Sequence, residues 1–239
     1  MVTDLVVKAV LFDLGNTLVQ MWTPELVYKK VLASLGIRKP VGGISEALAR
    51  TEEEFKLQGY RVTYGKVPYE EYYGRWDSVV LKHLGVPDDR RLSREIQARW
   101  FDHADCVIYP DVKDTLTKLK RAGLKTGLVS TAYEEDIHAI SRKAGLETDL
   151  FDVVIGANTI KREKPHPDVF RHALKKLNVK PEEALFIGDD IDADYKGAEK
   201  VGIRALLIQR TETKTLHLRT ITSLKGIFKY INQSDMARP

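Results

Sequence analysis

The stretch Lys8-Ala9-Val10-Leu11-Phe12-Asp13-Leu14-Gly15-Asn16-Thr17 decides the fold. It starts as a short apolar run of strand length, built from residues that suit a strand buried on both faces. It ends in a carboxylate, a glycine and a turn-forming asparagine, so the strand stops at Asn16 or earlier. Open α/β sheets keep their chemistry at the carboxyl ends of their strands. Asp13 stands at such an end, where it either caps a loop or reacts.

Working outward, the pattern after Thr17 turns helical. Pro24 opens a helix with Val27, Val31 and Leu35 on one face, closed by Gly36. Ile44, Leu48, Thr51 and Phe55 form a second stripe that ends near Gly59. Pro68 opens a third, with Tyr69, Tyr72, Tyr73, Trp76, Val80 and Leu84 at helical spacing; Leu92, Ile96 and Trp100 mark a fourth. Four amphipathic helices make a small bundle, with the aromatic stripe as its core. From Cys106 the rhythm becomes strand and helix in alternation. Helices are expected at 111–122, 134–144, 167–177 and 193–201, and strands at 125–130, 151–156, 184–188 and 204–208. A closing helix is expected at 224–231, with a frayed tail after it. This alternation predicts an α/β fold, a doubly wound, mostly parallel sheet covered on both faces. The strand ending at Asp13 belongs to that sheet. The bundle is then an insertion: residues 1–18 with 105–239 form the core, and 19–104 the helical unit.

Composition excludes several functions. With 239 residues and 43% hydrophobic content there is ample material for a core. No apolar run nears the ~20 residues of a membrane span. The N-terminus lacks a basic-then-apolar leader pattern, and the single cysteine, Cys106, has no internal partner, so a cytoplasmic setting is expected. The net charge of +4 comes from interspersed acids and bases, with no basic stripe for nucleic acid. It suits a small anionic substrate. No oligomeric state is readable.

Four strand ends carry polar groups: Asp13; Ser130 and Thr131; Lys164 in the loop after the third strand; and Asp189 and Asp190, with Asp192 and Asp194 behind. In a parallel sheet these ends share one edge. Crowded carboxylates repel and call for a cation, most simply Mg²⁺ with its oxygen ligands. Lysine neutralises excess charge and holds a phosphate oxygen, and an aspartate can attack phosphorus. Phosphoryl transfer is the expected chemistry. Asp190, Asp192 and Asp194 also mimic an EF-hand start, but Tyr195 and Val201 stand where that loop needs Gly and Glu.

These stretches resemble the haloacid dehalogenase superfamily. Phe12-Asp13-Leu14-Gly15-Asn16-Thr17-Leu18 looks like its first motif, Val129-Ser130-Thr131 the second and Lys164-Pro165-His166-Pro167-Asp168 the third. Phe186-Ile187-Gly188-Asp189-Asp190, running through Asp194 to Gly197-Ala198, looks like the fourth. Tyr109-Pro110-Asp111-Val112 is similar to the stretch before the second motif. The resemblance implies a Rossmann-like core with a subfamily I helical cap inserted after the first motif. It implies Asp13 as nucleophile and metal ligand, the Gly15 carbonyl on the metal, and Lys164 holding nucleophile and phosphate together. Ser130, Thr131, Asn16 and Thr17 are expected to bind the substrate, Ser130 at the phosphate, with Thr17 also supporting the loop. Asp189 is implied as an Mg²⁺ ligand, with Asp190 or Asp194 as the further acid; that choice stays open. The implied activity is Mg²⁺-dependent hydrolysis of a small phosphorylated metabolite through an aspartyl-phosphate. Gly15 departs from the family pattern, because most of its phosphatases carry a second aspartate there as general acid and base. A dehalogenase, a phosphomutase and a catalytically weak binding protein are the alternatives; the acids of the fourth motif weigh against dehalogenation.

Overall fold

The computed structural model describes residues 6–88, 90–211 and 218–231. The Asp13 strand, β1 (Ala9–Phe12), is fully buried and lies in the middle of a six-stranded sheet. The chain continues through β2 (Val19–Gln20), α1 (Pro24–Ser34), α2 (Val41–Leu57), α3 (Tyr69–His83), α4 (Arg91–His103) and β3 (Val107–Ile108). It then alternates as α5 (Val112–Arg121), β4 (Lys125–Val129), α6 (Glu134–Ala144), β5 (Val153–Ile155), α7 (Pro167–Leu177), β6 (Ala184–Gly188), α8 (Gly197–Glu199), β7 (Arg204–Ile208) and β8 (Thr220–Ile221). The sheet order is β5-β4-β1-β6-β7-β8, and every pairing is parallel. β1 therefore takes β4 and β6 as neighbours, with Phe12 opposite Leu128 and Ile187. That register brings the second and fourth motifs to either side of Asp13.

The connecting helices carry the charge pattern that suits their dipoles. α6 starts with Glu134, Glu135 and Asp136 and ends with Arg142 and Lys143. Gly145, at φ 68°, closes it in the left-handed conformation that glycine adopts at little cost. Leu11, Phe186, Phe170 and Leu207 pack into one core with Val169, Ala173 and Tyr195. Gly127 is required on β4, because a Cβ there would stand 2.5 Å from the Leu11 side chain.

The chain divides into two compact units, Met1–Gln20 with Val107–Pro239, and Met21–Cys106. These units meet at 20/21 and 106/107, each two residues later than the sequence boundaries of 18/19 and 104/105. Within the first unit β2 and β3 pair antiparallel, Val19 with Ile108 and Gln20 with Val107. Two-residue strands show no periodicity, and neither these nor β8 is visible in the sequence. The helical unit buries Val27, Val31, Ile44, Val80, Leu81 and Ile96 together. Phe55 meets Tyr60, Tyr72 and Trp76 edge to face at 5.0–5.6 Å, so Tyr72 and Trp76 of the aromatic stripe pack inward, while Tyr69 and Tyr73 are half-buried. Trp22 packs the same way on Phe101.

The expected closing helix is a 3-10 turn, Leu224–Lys229, and the tail from Asn232 lies outside the described residues. The expected helix at 193–201 also takes another form. Ile191–Lys196 is a π-helical turn that leads into the single turn α8. The amides of Asp194 and Tyr195 both donate to the Asp190 carbonyl, which widens the turn by one residue.

Candidate active site

The site starts at Asp13, one residue past β1. Its amide donates to the Ile187 carbonyl, which continues the β1–β6 ladder and fixes its direction. The chain then turns sharply. Leu18 and Val19 donate to the Leu14 carbonyl, and Asn16, at φ 51°, donates to the Val19 carbonyl. Asparagine tolerates that left-handed geometry better than most residues.

Lys164 enters from the loop before α7. Its ammonium lies 2.7 Å from Asp13 Oδ1 and 2.5 Å from Asp194 Oδ1, and it is 4% exposed. Burial would lower its pKa, but the charges of Asp13 and Asp194 outweigh that and raise it, so it is a fixed cation. Asp194 arrives on the π turn. Its Oδ2 accepts from the Asp190 amide and lies against Gly188, where a Cβ would stand 2.2 Å from it. Gly188 thus makes room for the carboxylate. Gly197 performs a similar service beneath, where a Cβ would meet Phe170 at 2.9 Å and Pro165 at 3.2 Å.

Asp13, Asp189 and Asp194 each offer an oxygen within 4.8 Å of the others'. Desolvation raises the pKa of all three, opposed at Asp13 and Asp194 by Lys164. The Asp194 charge raises Asp189 further, and a hydrogen bond from Asn16 lowers it. One lysine does not neutralise three carboxylates. The donors are hard oxygens and the charge deficit is unmet, so the residues present fit a divalent cation such as Mg²⁺.

The other expected residues fall as follows. Asp190 is exposed and its carboxylate is turned away, accepting from the amides of Asp192 at 2.8 Å and Ala193 at 2.7 Å. It caps the π turn and stands outside the acidic trio. Ser130 is buried just past β4, with its Oγ accepting from the Ala132 amide at 3.2 Å. Continuing the β1–β4 register puts Asp13 opposite Val129, beside Ser130. Thr131 is half-buried. Thr17 is fully buried, its hydroxyl without a hydrogen-bond partner among the described residues. Gly15 forms a bridge to Val19 within the turn. His166 caps α7, accepting from the Asp168 amide at 3.3 Å.

Arg210 is the residue the sequence reading passes over. It follows β7 at the same carboxyl edge and donates to the Thr17 carbonyl of the Asp13 turn. Its one trace in the sequence is a charged residue two positions after the strand that ends at Ile208, which by itself reads as surface.

The model of the haloacid dehalogenase-like hydrolases matches residues 7–202. The chain belongs to that family. A glyceraldehyde 3-phosphate phosphatase of Methanopyrus kandleri is 29% identical over 216 residues, covering 89% of this chain and 88% of the relative. A pyrophosphatase PpaX of Bacillus cereus is 34% identical over 207 residues, covering 86% and 84%. Among solved structures, a phosphatase of the family from Thermococcus onnurineus superposes with a TM-score of 0.62 at 27% identity, covering 93% of this chain and 96% of the other. Haloacid dehalogenases of lower identity share the fold. With this family and these relatives, the protein is a hydrolase of the phosphatase kind. Among the described residues, no helix is long and apolar enough to cross a membrane.

Proposed function

We propose that the protein is a Mg²⁺-dependent phosphatase that removes the phosphoryl group of a small phosphomonoester through an aspartyl-phosphate on Asp13. The observation that carries this reading is the buried Lys164 ammonium held between Asp13 and Asp194, with Asp189 completing an oxygen trio. Asp13, Asp189, Asp194 and the Gly15 carbonyl would hold the metal. When bound, Mg²⁺ supplies positive charge that polarises the phosphoryl oxygens.

The chain's own residues do the rest. Lys164 opposes the effect of burial on the Asp13 carboxylate and binds a phosphoryl oxygen as the charge transfers. Asp13 Oδ attacks phosphorus, a new O–P bond forms, and the bond to the leaving oxygen breaks. Ser130 donates its hydroxyl to a second phosphoryl oxygen. Water then attacks phosphorus, releasing phosphate and regenerating Asp13. Asn16 holds Asp189 in place, and Thr17 supports the turn. The helical unit, 21–106, is inserted in the chain after the first motif, where this family carries its cap.

Gly15 has no side chain with which to protonate a leaving group, and general acid help is worth ~10²–10⁴ in rate. The substrates are therefore those whose leaving oxygen departs without strong proton help. The relatives named for glyceraldehyde 3-phosphate and pyrophosphate support a small phosphorylated compound. The acidic trio with its lysine weighs against dehalogenation, which has no use for a metal site. The test is phosphate release from para-nitrophenyl phosphate with Mg²⁺ and with chelator. Wild type is expected to turn over only with Mg²⁺, and Asp13→Asn not at all. No turnover by wild type above Asp13→Asn would leave the binding-protein reading.

A further inference from the structure

Arg210 follows β7, on the other side of β1 from β5, whose following loop carries Lys164, and it reaches the turn after Asp13. Its Nη1 donates to both oxygens of Asp111, at 2.9 and 2.8 Å, and its Nη2 donates to the Thr17 carbonyl. The guanidinium lies 4.0 Å over the Tyr109 ring. Asp111 is itself fixed from a third side. Its Oδ2 accepts from Ser223 Oγ and from the Leu224 amide, each at 2.7 Å. These bonds hold the Asp111 carboxylate ionised although it is buried.

The turn from Leu14 to Val19 needs such an anchor. The carbonyls of Leu14, Leu18 and Val19 are answered by backbone amides, the Leu18 carbonyl by Tyr109. The Thr17 carbonyl is answered by Arg210. A planar, forked guanidinium spans a carboxylate, a carbonyl and an aromatic face at once, and an ammonium does not. On the Asp13 side, the same turn presents Asn16 to Asp189.

We propose that Arg210 is a positioning residue, which holds the turn after Asp13 through the Thr17 carbonyl so that Asn16 meets Asp189 and the acidic trio keeps its spacing. This rests on the phosphatase reading for its catalytic consequence, and on geometry alone for the contact. Neither Arg210 nor Asp111 touches the reacting atoms.

The test is Arg210→Ala beside wild type, with Mg²⁺ and para-nitrophenyl phosphate. Displacing a turn next to the nucleophile is expected to lower kcat by ~10- to 100-fold with little change in KM. Millimolar guanidinium chloride is expected to restore turnover in a saturable way, and equal sodium chloride is not. Amide hydrogen exchange at residues 16–19 is expected to speed up. If Arg210→Ala does not fold, Arg210→Lys takes its place: it keeps the charge but not the fork, and the same loss of kcat is expected at an unchanged melting temperature. Wild-type kcat in a folded variant would overturn the proposal. So would a loss that tracks melting temperature and ignores guanidinium. If wild type itself is inactive, the phosphatase reading has failed, and unchanged exchange at residues 16–19 is then the result that overturns the positioning contact.

Discussion

Lys164 stands between Asp13 and Asp194, its ammonium 2.7 Å from one carboxylate and 2.5 Å from the other, with all three side chains buried. Removing one partner of a buried charged group typically costs ~3–5 kcal/mol, because the others stay desolvated and unpaired. Lys164→Met is expected to lose at least ~10²-fold in turnover, the scale seen when one electrostatic stabiliser is removed. It is also expected to melt lower than wild type without metal, and to gain more from added Mg²⁺, since the carboxylates then depend on that cation alone. Thermal melts with and without Mg²⁺ check this. Equal Mg²⁺ shifts in both proteins would contradict it.

Asp194 packs against Gly188, where a Cβ would stand 2.2 Å from Oδ2. No real Cβ tolerates that separation, and the strand below is fully buried. Gly188→Ala is expected to displace the Asp194 carboxylate, weaken Mg²⁺ binding by ~10–100-fold as losses of orienting contacts at metal sites do, and lower turnover with it. Calorimetric titration with Mg²⁺ checks the affinity. Wild-type affinity would show that Asp194 is not a ligand.

A second buried acid lies in the helical unit. Tyr28 donates its hydroxyl to Asp77, which is 3% exposed. Desolvation raises the Asp77 pKa from 3.8 to about 7, opposed by Tyr28 and Gln97. The folded protein therefore holds a proton that the unfolded chain has released between about pH 4 and pH 7. The stability from this group is complete below pH 4 and is lost as pH rises toward 7, by about 1.4 kcal/mol per pH unit. Asp77→Asn is expected to flatten that slope. Denaturant titrations at about pH 4.5 and about pH 6.5, near the two ends of that window, check it; equal slopes in both proteins would contradict it.

How much of this was legible in the sequence depended on what each residue's role required. Asp13, Lys164 and Asp189 were readable because each follows a buried strand or a loop whose punctuation is plain. The choice between Asp190 and Asp194 was not, because it depends on the direction of side chains in a π turn. Once Asp190 caps that turn, Asp194 is carried back onto Gly188 and Lys164. Helical periodicity at 193–201 could not show a turn widened by one residue. Arg210 was hidden for a different reason, since an arginine after a strand reads as surface until its partners Asp111 and Thr17 are seen. The pair β2 and β3 is too short to leave a pattern.

Gly15 yields a kinetic expectation. Without an acid at that position, the rate should depend steeply on the pKa of the leaving group across a series of aryl phosphates. Gly15→Asp is expected to make the dependence shallower, as a general acid takes over protonation. A flat dependence in wild type would contradict the reading.

Transfer of the phosphoryl group to Asp13 is tested by rapid acid quench of wild type mixed with Mg²⁺ and substrate, followed by peptide mass spectrometry. The expected result is the added mass of one phosphoryl group on the peptide that carries Asp13, absent from Asp13→Asn and lost on longer incubation. Turnover with no such mass on that peptide at any quench time, or a phosphoryl group on another residue, would contradict it.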